Sequence, residues 1–425
     1  MKVCVVGSGG REHALAKALG RTADVVVTPG NPGIPGVTEE GHVLSCTDAP
    51  PEEIEAGLVV IGPESPLVGG LADRLRASGR LVFGPGADGA LLEGSKAYMK
   101  EVLAEAGVPT ALHGVFTDPD EAVAYLRSLP GPWVVKTDGL ASGKGVLVTG
   151  SLAVAEADVI AKLSGEAFGD AGRRVVVEEA LDGAECSVHV VCDGRRVVPL
   201  APARDYKRVG DVDAGPNTGG MGSNSPVPSV GGELVGRVVD ECVEPLLAAL
   251  RRRGVDYRGV LYAGLMLTSE GPKVLEYNVR FGDPETQVIM QRTGGDLTAL
   301  FSDAAAGKLT GEVPATAGAA VCVVLTAEGY PGTVRTRDPI SGLESAQQVP
   351  GVTLDYAGVA AEGEALVTAG GRVLGVTGCG DSLVQARERA YRACSSIHWQ
   401  GMHNRSDIAQ LDAADSLSQV VTTDR

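Results

Sequence analysis

Glu276-Tyr277-Asn278-Val279-Arg280-Phe281-Gly282-Asp283-Pro284-Glu285 closes an apolar run with a carboxylate, an amide and a cation at alternate positions. Side chains of a strand alternate between its faces, so Glu276, Asn278 and Arg280 share one face while Tyr277 and Val279 pack behind. Polar tips gathered this way suit a hard divalent cation that keeps several waters and bridges phosphates. Glu-x-Asn alone would more simply be the solvated face of an edge strand. The Arg-Phe-Gly-Asp-Pro-Glu that follows is too particular in its chemistry for an ordinary turn. The stretch reads as a metal–phosphate site.

A chain of 425 residues has room for two or three domains with their own cores. Its 44% hydrophobic and 21% charged residues are ordinary for a soluble globular protein. The 59 glycines point to many tight turns and close backbone approaches. Aromatics at 4% leave the core to Ala, Val and Leu. A net charge of −17 argues against nucleic-acid and anionic-membrane partners, which require a basic face. An anionic ligand must then be held by a local cluster of Lys, Arg and backbone amides. No apolar run approaches the ~18 residues of a membrane span. The opening Met-Lys-Val-Cys-Val-Val is cut by Gly7 too early for a signal-peptide core. Eight cysteines lie scattered without a Cys-x-x-Cys, and Cys4, Cys192 and Cys322 sit in apolar runs. Buried reduced thiols are expected rather than zinc ligands or disulfides, and the expected compartment is the cytoplasm.

Along the chain, Val3–Val6, Val25–Val27, Leu58–Ile61 and Leu81–Phe83 read as buried parallel strands. Between them, Glu12–Leu19 and Leu67–Leu75 carry leucine stripes at helical spacing. That alternation predicts a doubly wound α/β unit ending at Gly84-Pro85-Gly86. Residues 95–107 read as a helix capped by Ser95 and ended by Gly107. Strands are expected at 133–136, 146–148, 175–177, 186–191 and 197–200. Residues 204–225 read as a long polar loop, and such loops are usually functional or mobile. A helix over 234–250 and a hairpin of Leu261–Leu267 with Lys273–Asn278 follow. The third unit, from Ala317, has strands at Val321–Leu325 and Val373–Val376 and a helix from Ser382 to Ile397. The last two dozen residues turn polar and are expected to fray.

Gly7-Ser8-Gly9-Gly10-Arg11-Glu12-His13 joins a strand to a helix start, where N–H groups and the helix dipole attract an anion. A dinucleotide fingerprint needs glycine where Glu12 stands, and no acid ends the second strand, so NAD is disfavoured. The competing reading is a tight structural turn. Lys136 through Val146 superficially resembles a P-loop, but the glycine spacing is short and Lys144 precedes Gly145 rather than Ser or Thr. A lysine, a Gly-rich hairpin and a returning strand suit a flexible lid over phosphates better than a plain hairpin. Val175 through Glu185 is a strand ending in acids, whose exit could offer backbone groups to an adenine edge and Glu185 to ribose hydroxyls. Acids after a strand are more often merely solvated. Gly215 through Gly222 reads as a loop whose backbone forms a nest for a small anion, with Asp205, Lys207 and Arg208 upstream. Motifs for a serine nucleophile or a zinc protease are absent.

Taken together, these segments resemble the phosphoribosylamine–glycine ligase family of ATP-grasp enzymes over roughly residues 1–408. The resemblance rests on Gly7 through His13, Gly62-Pro63-Glu64, Leu92 through Lys96, Lys136 through Val146 and Asp211 through Gly222. Leu261 through Met266, Glu276 through Gln287, Ile397-His398-Trp399 and Arg405-Ser406-Asp407-Ile408 complete it. It implies a mixed α/β and α+β chain of ATP-grasp architecture. An N-terminal doubly wound α/β domain would span 1–98, a two-lobed ATP-grasp core 99–310, and a C-terminal α/β domain 317–425. The implied reaction joins glycine to 5-phosphoribosylamine with ATP, giving glycinamide ribonucleotide, ADP and phosphate.

A carboxylate is a poor acyl donor, so glycine would first take the γ-phosphate and the sugar amine would then attack its carbonyl. Such a scheme needs no protein nucleophile; positioning and charge stabilisation suffice. On the resemblance, Lys96, Lys136 and Lys144 neutralise phosphates, with Gly139, Ser142, Gly143, Gly145, Glu178, Glu179, Leu181 and Glu185 around the nucleotide. Glu276 and Asn278 hold Mg²⁺ or Mn²⁺. Arg280 stabilises the transferring phosphoryl group or the acyl phosphate, and Lys207 and Asp283 join it as catalytic candidates, Asp283 orienting an amine. Gly9, Gly10, Glu12 and Glu64, with Asp205, Asn217, Thr218, Gly219, Gly220 and Met221, are the substrate candidates. Partners are these small molecules alone, with no nucleic acid and no membrane, in an expected monomer or dimer.

The chain departs from related patterns at three places. Gly264-Leu265-Met266 lacks the extra metal-binding carboxylate of many ATP-grasp enzymes, as the ligase subfamily does. Tyr206 stands where the family usually has His, and Ala409 replaces a common Gly. Another ATP-grasp ligase or carboxylase would lack the Asn217–Gly222 run. A non-catalytic nucleotide binder would have lost a lysine or metal ligand, and a dehydrogenase would not carry Glu12.

Overall fold

The first sheet has the order Gly36–Val37, Val43–Cys46, Asp24–Pro29, Lys2–Gly7, Leu58–Ile61, Val82–Phe83, parallel except for the outer Gly36–Val37. The computed structural model describes residues 1–140, 145–167, 172–314 and 316–412. Val3, Cys4, Val5, Leu58, Val59 and Val60 are all inaccessible, as expected of strands covered on both faces. Strand order reverses around Lys2–Gly7, so Gly7–Gly10 lies at the switch point where open α/β sheets bind ligands. The Leu67, Leu71, Leu75 stripe belongs to two helices rather than one, Glu64–Val68 and Leu71–Ala77. Gly70, at φ 74°, breaks the run, yet all three leucines remain buried.

Two antiparallel sheets form the middle of the molecule. One orders His113–Phe116, Val175–Glu179, Trp133–Thr137 and Val146–Thr149, and helices Pro119–Ser128 and Leu152–Leu163 cover it. Val135, Val175 and Val177 pack toward those helices, so alternation turns Lys136 and Glu178 to the open face. The other orders Val197–Pro199, Ala184–Asp193, Arg258–Thr268 and Gly271–Asn278. Its register passes from Leu265↔Val274 to Gly264↔Glu276, a bulge at Leu275 that re-aims the end of the strand. Ser95 caps helix Lys96–Ala106 by accepting from Tyr98 N, and Gly107 ends it at φ 66°. The helix expected over 234–250 is instead Gly232–Val238, a π-turn Val239–Val243 and Glu244–Arg252. Pro245, without an N–H, cannot complete the α-ladder there.

The last large sheet orders Arg204–Asp205, Gly222–Ser225, Ala319–Thr326, Arg372–Gly380 and Val352–Tyr356 and is antiparallel throughout. Two of its strands come from 204–225, the segment expected to be a loop. That segment also folds a two-stranded ribbon, Arg208–Gly210 with Ala214–Asn217. The expectation failed because this buried strand is polar: Ser223, Asn224 and Ser225 are fully inaccessible. Their side chains are satisfied by the carbonyls of Pro284 (2.7 Å), Pro226 (2.8 Å) and Pro202 (2.8 Å), as buried polar groups require. Helix Leu383–Cys394, capped by Ser382, covers the sheet.

The N-terminal helix Gly10–Leu19 docks on this sheet. His13 Nδ1 accepts from Tyr356 N at 2.9 Å, and Lys17 pairs with Asp355 at 3.0 Å. Burial holds His13 far below the usual imidazole range, so it is a neutral acceptor. Residues 402–412, expected to fray, are pinned, with Arg405 only 1% exposed. The remainder of the tail lies outside the described residues. Cys4, Cys192 and Cys322 are free and buried, as read from the sequence.

Candidate active site

At the switch point, Glu12 folds back beneath the glycine turn. Gly9 N donates to its Oε2 at 2.7 Å, Arg11 Nε donates to its Oε1 at 2.7 Å, and Glu12 is 2% exposed. Gly7, at φ 130°, and Gly62 leave the space its carboxylate fills. Glu12 therefore shapes the turn from inside, and Ser8 and Gly9 form its open edge. Gly10 is buried against Gln287. A methyl group at Gly62 would overlap the Glu12 carboxylate. Gly62→Ala is expected to lose about 1–3 kcal/mol in thermal unfolding through overpacking. Gly236→Ala, in a helix with open space around it, should gain about 0.5–1 kcal/mol.

The strand Gly271–Asn278 presents Glu276 at the cleft, while Tyr277 and Val279 are 1% exposed behind it. Arg280 pairs with Glu93 at 2.8 Å and Glu64 at 3.3 Å. Glu93 also accepts from Val279 N at 2.9 Å, so it fixes both the strand end and the guanidinium. Burial would raise the Glu64 carboxyl, but Arg280 and Arg11 bring it below its ordinary range. Burial likewise opposes ionisation of Glu276, and Lys207, Lys96, Lys136 and Arg280 together overcome it. The combined field of four cations thus keeps one carboxylate ionised.

Lys136 Nζ lies 3.0 Å from Glu178 and donates to Leu275 O at 3.1 Å. Lys100 Nζ lies 3.1 Å from the other Glu178 oxygen and donates to Thr110 Oγ1 at 2.7 Å. Glu178 is 1% exposed and is the counter-charge of two lysines. Removing one partner of such a buried set typically costs about 3–5 kcal/mol. Burial depresses Lys100 to about 8 despite Glu178. Two of the donors expected to be open at this strand exit are engaged, whereas Leu181 N donates to no group among the described residues. Glu179 N and Ala180 N donate to Leu112 O (3.1 Å) and Pro132 O (3.0 Å), and the Glu179 carboxylate accepts from Leu112 N (3.0 Å). Leu181 is half-buried, and exposed Glu185 pairs with Lys207 at 3.1 Å. Asp138 accepts from Ser95 Oγ (2.9 Å) and Ala97 N (3.0 Å), tying the base of the glycine loop to the helix that bears Lys96. Thr137 N to Gly145 O, at 2.9 Å, closes that base, and Gly139 takes φ 137°. Ser142, Gly143 and Lys144 lie outside the described residues.

The Asn217–Gly222 stretch is not the open nest expected of it. Thr218 N donates to Lys207 O (2.7 Å), Gly219 N to Tyr330 Oη (2.9 Å), Gly220 N to Thr218 Oγ1 (2.9 Å) and Met221 N to Tyr206 O (2.8 Å). Met221 is inaccessible, so its side chain belongs to the core rather than to a substrate. Asn217 ends the ribbon, paired with Arg208. Asp205 Oδ1 is buried without a hydrogen-bond partner, 2.7 Å from where a methyl at Gly220 would lie. Burial, reinforced by Glu285, raises its carboxyl well above the usual range. Asp205, Lys207, Glu185, Ser187, Tyr262 and Gly264 line a cavity of about 10 Å³, room for about one water. Tyr206 points away from this cavity: its hydroxyl donates to Asn224 Oδ1 (3.1 Å), and Arg405 lies over its ring.

Asp283 stands beside Gly9, accepts from Gln287 Nε2 at 2.9 Å and pairs with Arg372 at 2.9 Å. Arg372 also donates to the carbonyls of Asp283 (2.6 Å) and Gly219. Burial opposes Asp283 ionisation, but Arg372 and Arg11 keep it ionised. Sequence reasoning missed Arg372, Glu93 and Lys100 as members of the cluster. Glu93 was within reach, lying in the quoted Leu92–Lys96 run; Arg372 opens its strand just ahead of the apolar run, with no local signal.

Neither Glu276 nor Asn278 is hydrogen-bonded through its side chain among the described residues, which leaves a carboxylate and an amide for a hard cation. No cluster of three or more His, Cys, Asp or Glu among the described residues could hold a metal alone. The donor set fits a divalent ion that shares its coordination with phosphate oxygens and water. No helix among the described residues is long and apolar enough to cross a membrane.

Comparisons with known proteins agree with this arrangement. Family profiles for phosphoribosylglycinamide synthetase match in succession: the N domain over 1–93, the ATP-grasp (A) domain over 94–286 and the C domain over 320–411. The chain is 48% identical over 421 residues to a phosphoribosylamine–glycine ligase of Streptomyces coelicolor, covering 96% of this chain and 99% of that one. The corresponding figures for the Escherichia coli K12 ligase are 46% over 422 residues, 96% and 98%. A crystal structure of a phosphoribosylamine–glycine ligase from Thermotoga maritima superposes with TM-score 0.82 at 36% identity, covering 96% of this chain and all of that one. The biotin carboxylase domain of Hydrogenobacter thermophilus 2-oxoglutarate carboxylase, a complex with ADP and magnesium, shares the fold at TM-score 0.70 and 18% identity, covering 95% and 91%.

Proposed function

The chain belongs to the phosphoribosylglycinamide synthetase family, and from that premise we propose how its own side chains join glycine to 5-phosphoribosylamine. It is an ATP-dependent ligase of purine biosynthesis. The observation that carries the residue-level reading is that Lys136 donates to Leu275 O and Lys207 lines the cavity at Gly264 and Leu275, beside Glu276, whose carboxyl they, Lys96 and Arg280 keep ionised. Such a cluster neutralises a nucleotide's phosphates and the charge that shifts during phosphoryl transfer.

A glycine carboxylate oxygen attacks the γ-phosphorus of ATP, and ADP leaves. Lys96 and Lys136 hold the phosphates, and Arg280, fixed by Glu64 and Glu93, faces the transferring group. Glu276 and Asn278 would hold magnesium or manganese, which when bound would supply further positive charge to the phosphates. Lys207 holds the glycine carboxylate, and the glycine ammonium pairs with Asp205, restoring the charge that burial opposes. The 5-phosphoribosylamine lies along Gly9, its amine oriented by ionised Asp283. That nitrogen attacks the glycyl carbonyl, the bond from that carbon to the phosphate oxygen breaks, and the departing phosphate takes the proton the nitrogen loses. Nearness and alignment supply most of the acceleration. We place the enzyme in the cytoplasm as a monomer or dimer acting on small molecules alone, without nucleic-acid or membrane partners.

The reading is tested by ADP release with each substrate omitted in turn. Full turnover is expected only with ATP, glycine and freshly made 5-phosphoribosylamine together. ADP formation at the same rate without glycine or without the amine would overturn it.

A further inference from the structure

The segment 403–412 lies along the ribbon Arg208–Gly210 with Ala214–Asn217, which begins next to Lys207, and it holds that ribbon from outside. Arg405, 1% exposed, grips Asp407 with a two-pronged pair (2.7 and 2.8 Å) and donates to Asp213 Oδ1 (2.8 Å) and Arg208 O (3.2 Å). Its guanidinium lies 5.2 Å from the Tyr206 ring centroid. Asp407 accepts from Val212 N (2.8 Å), Ser406 N donates to Asp211 (2.8 Å), and His403 Nε2 lies 2.9 Å from Val209 O. These contacts reach six of the eight residues from Tyr206 to Asp213, flanking Lys207 on both sides.

The held backbone is unusual. Val212 and Asp213 take φ 55° and φ 52° in succession, and Val212 is 88% exposed. A β-branched residue in the left-handed region is an outlier that persists only when its surroundings over-determine it. An exposed valine gains no burial from this conformation, so the tail contacts hold it. The far end of the ribbon meets the site directly, since Thr218 N (2.7 Å) and Thr218 Oγ1 (2.8 Å) both donate to Lys207 O. Lys207 in turn lines the cavity beside Gly264, which is paired with Glu276.

We propose that Arg405 is a positioning residue for the ligation, holding the strained turn so that the ribbon delivers Lys207 opposite Glu276. This inference rests on the role given to Lys207 above. A bland alternative is that the tail only stabilises the fold, and the two differ in what a double-mutant cycle returns.

The experiment compares Arg405→Lys, Lys207→Met and the double variant in the full-length enzyme, measuring kcat, KM for ATP and thermal unfolding. Arg405→Lys keeps a charge but loses the fork. Its kcat is expected to fall about 100-fold, the scale of a catalytic group misplaced by about an ångström, with KM for ATP little changed. The double variant should be no slower than Lys207→Met alone, because both changes remove one effect. Losses that multiply, or an Arg405→Lys enzyme at the wild-type rate, would overturn the inference. Near-normal turnover by Lys207→Met would instead remove the Lys207 role itself, and this inference with it. If Arg405→Lys folds poorly, Asp213→Asn takes its place in the cycle. That side chain is 72% exposed, and Asn tolerates its backbone; a smaller kcat loss that vanishes in the Lys207→Met background is expected, and one that persists there overturns the inference.

Discussion

Glu276→Ala is expected to lower kcat by about 10³-fold or more at saturating divalent cation, with the fold intact. Removing a single preorganised electrostatic contact in an active site typically costs about 10²–10³-fold. Glu276 should exceed that because, on the proposed reading, it holds the metal in addition to lying in the field of four cations. Its side chain lines a cleft, so no core packing is lost. Stability should still fall slightly at neutral pH. The folded carboxyl lies below its ordinary value of 4.5, so its ionisation stabilises the native state above that pH and stops doing so as pH falls through the folded value. The gap in thermal unfolding between wild type and variant should therefore narrow on acidification. A variant that folds normally and turns over near the wild-type rate would remove the metal assignment.

The alternation of Glu276, Asn278 and Arg280 was legible because period 2 is a local property of a strand, and the buried Tyr277 and Val279 match it. The apolar runs of the first sheet were legible for the same reason. What escaped is non-local. Glu178 reads as a solvated acid until Lys100 and Lys136 close on it from two elements. Arg372 acquires its place only when the last sheet brings it to Asp283. Gly222–Ser225 carries no hydrophobic signal at all, because its burial is compensated by side-chain hydrogen bonds to three proline carbonyls. Ala409 is the converse case. Its φ of 59° accounts for the glycine common at that position, and the chain tolerates alanine there in a fully buried setting.

Glycine labelled with oxygen-18 in its carboxylate is expected to pass one labelled oxygen to inorganic phosphate for each glycinamide ribonucleotide formed. The site motivates this path: its Lys96, Lys136, Lys207 and Arg280 together keep Glu276 ionised, while its cysteines are poor nucleophiles. Burial pushes the Cys186 thiol, beside the cavity, up to about 12, far from the thiolate form at neutral pH. His189, also close by, is fully buried, and its Nε2 lone pair already accepts from Gly282 N at 3.1 Å, so it is not free to take a phosphoryl group. With phosphate moving directly from ATP to glycine, the attacking carboxylate oxygen becomes the bridge of the glycyl phosphate. When the sugar amine attacks the carbonyl carbon, the bond between that carbon and the bridging oxygen breaks, so the oxygen departs with phosphorus. A route through a phosphorylated protein side chain that water then releases would draw that oxygen from solvent. Mass analysis of the released phosphate separates the two, and unlabelled phosphate accompanying full product formation would exclude the direct path.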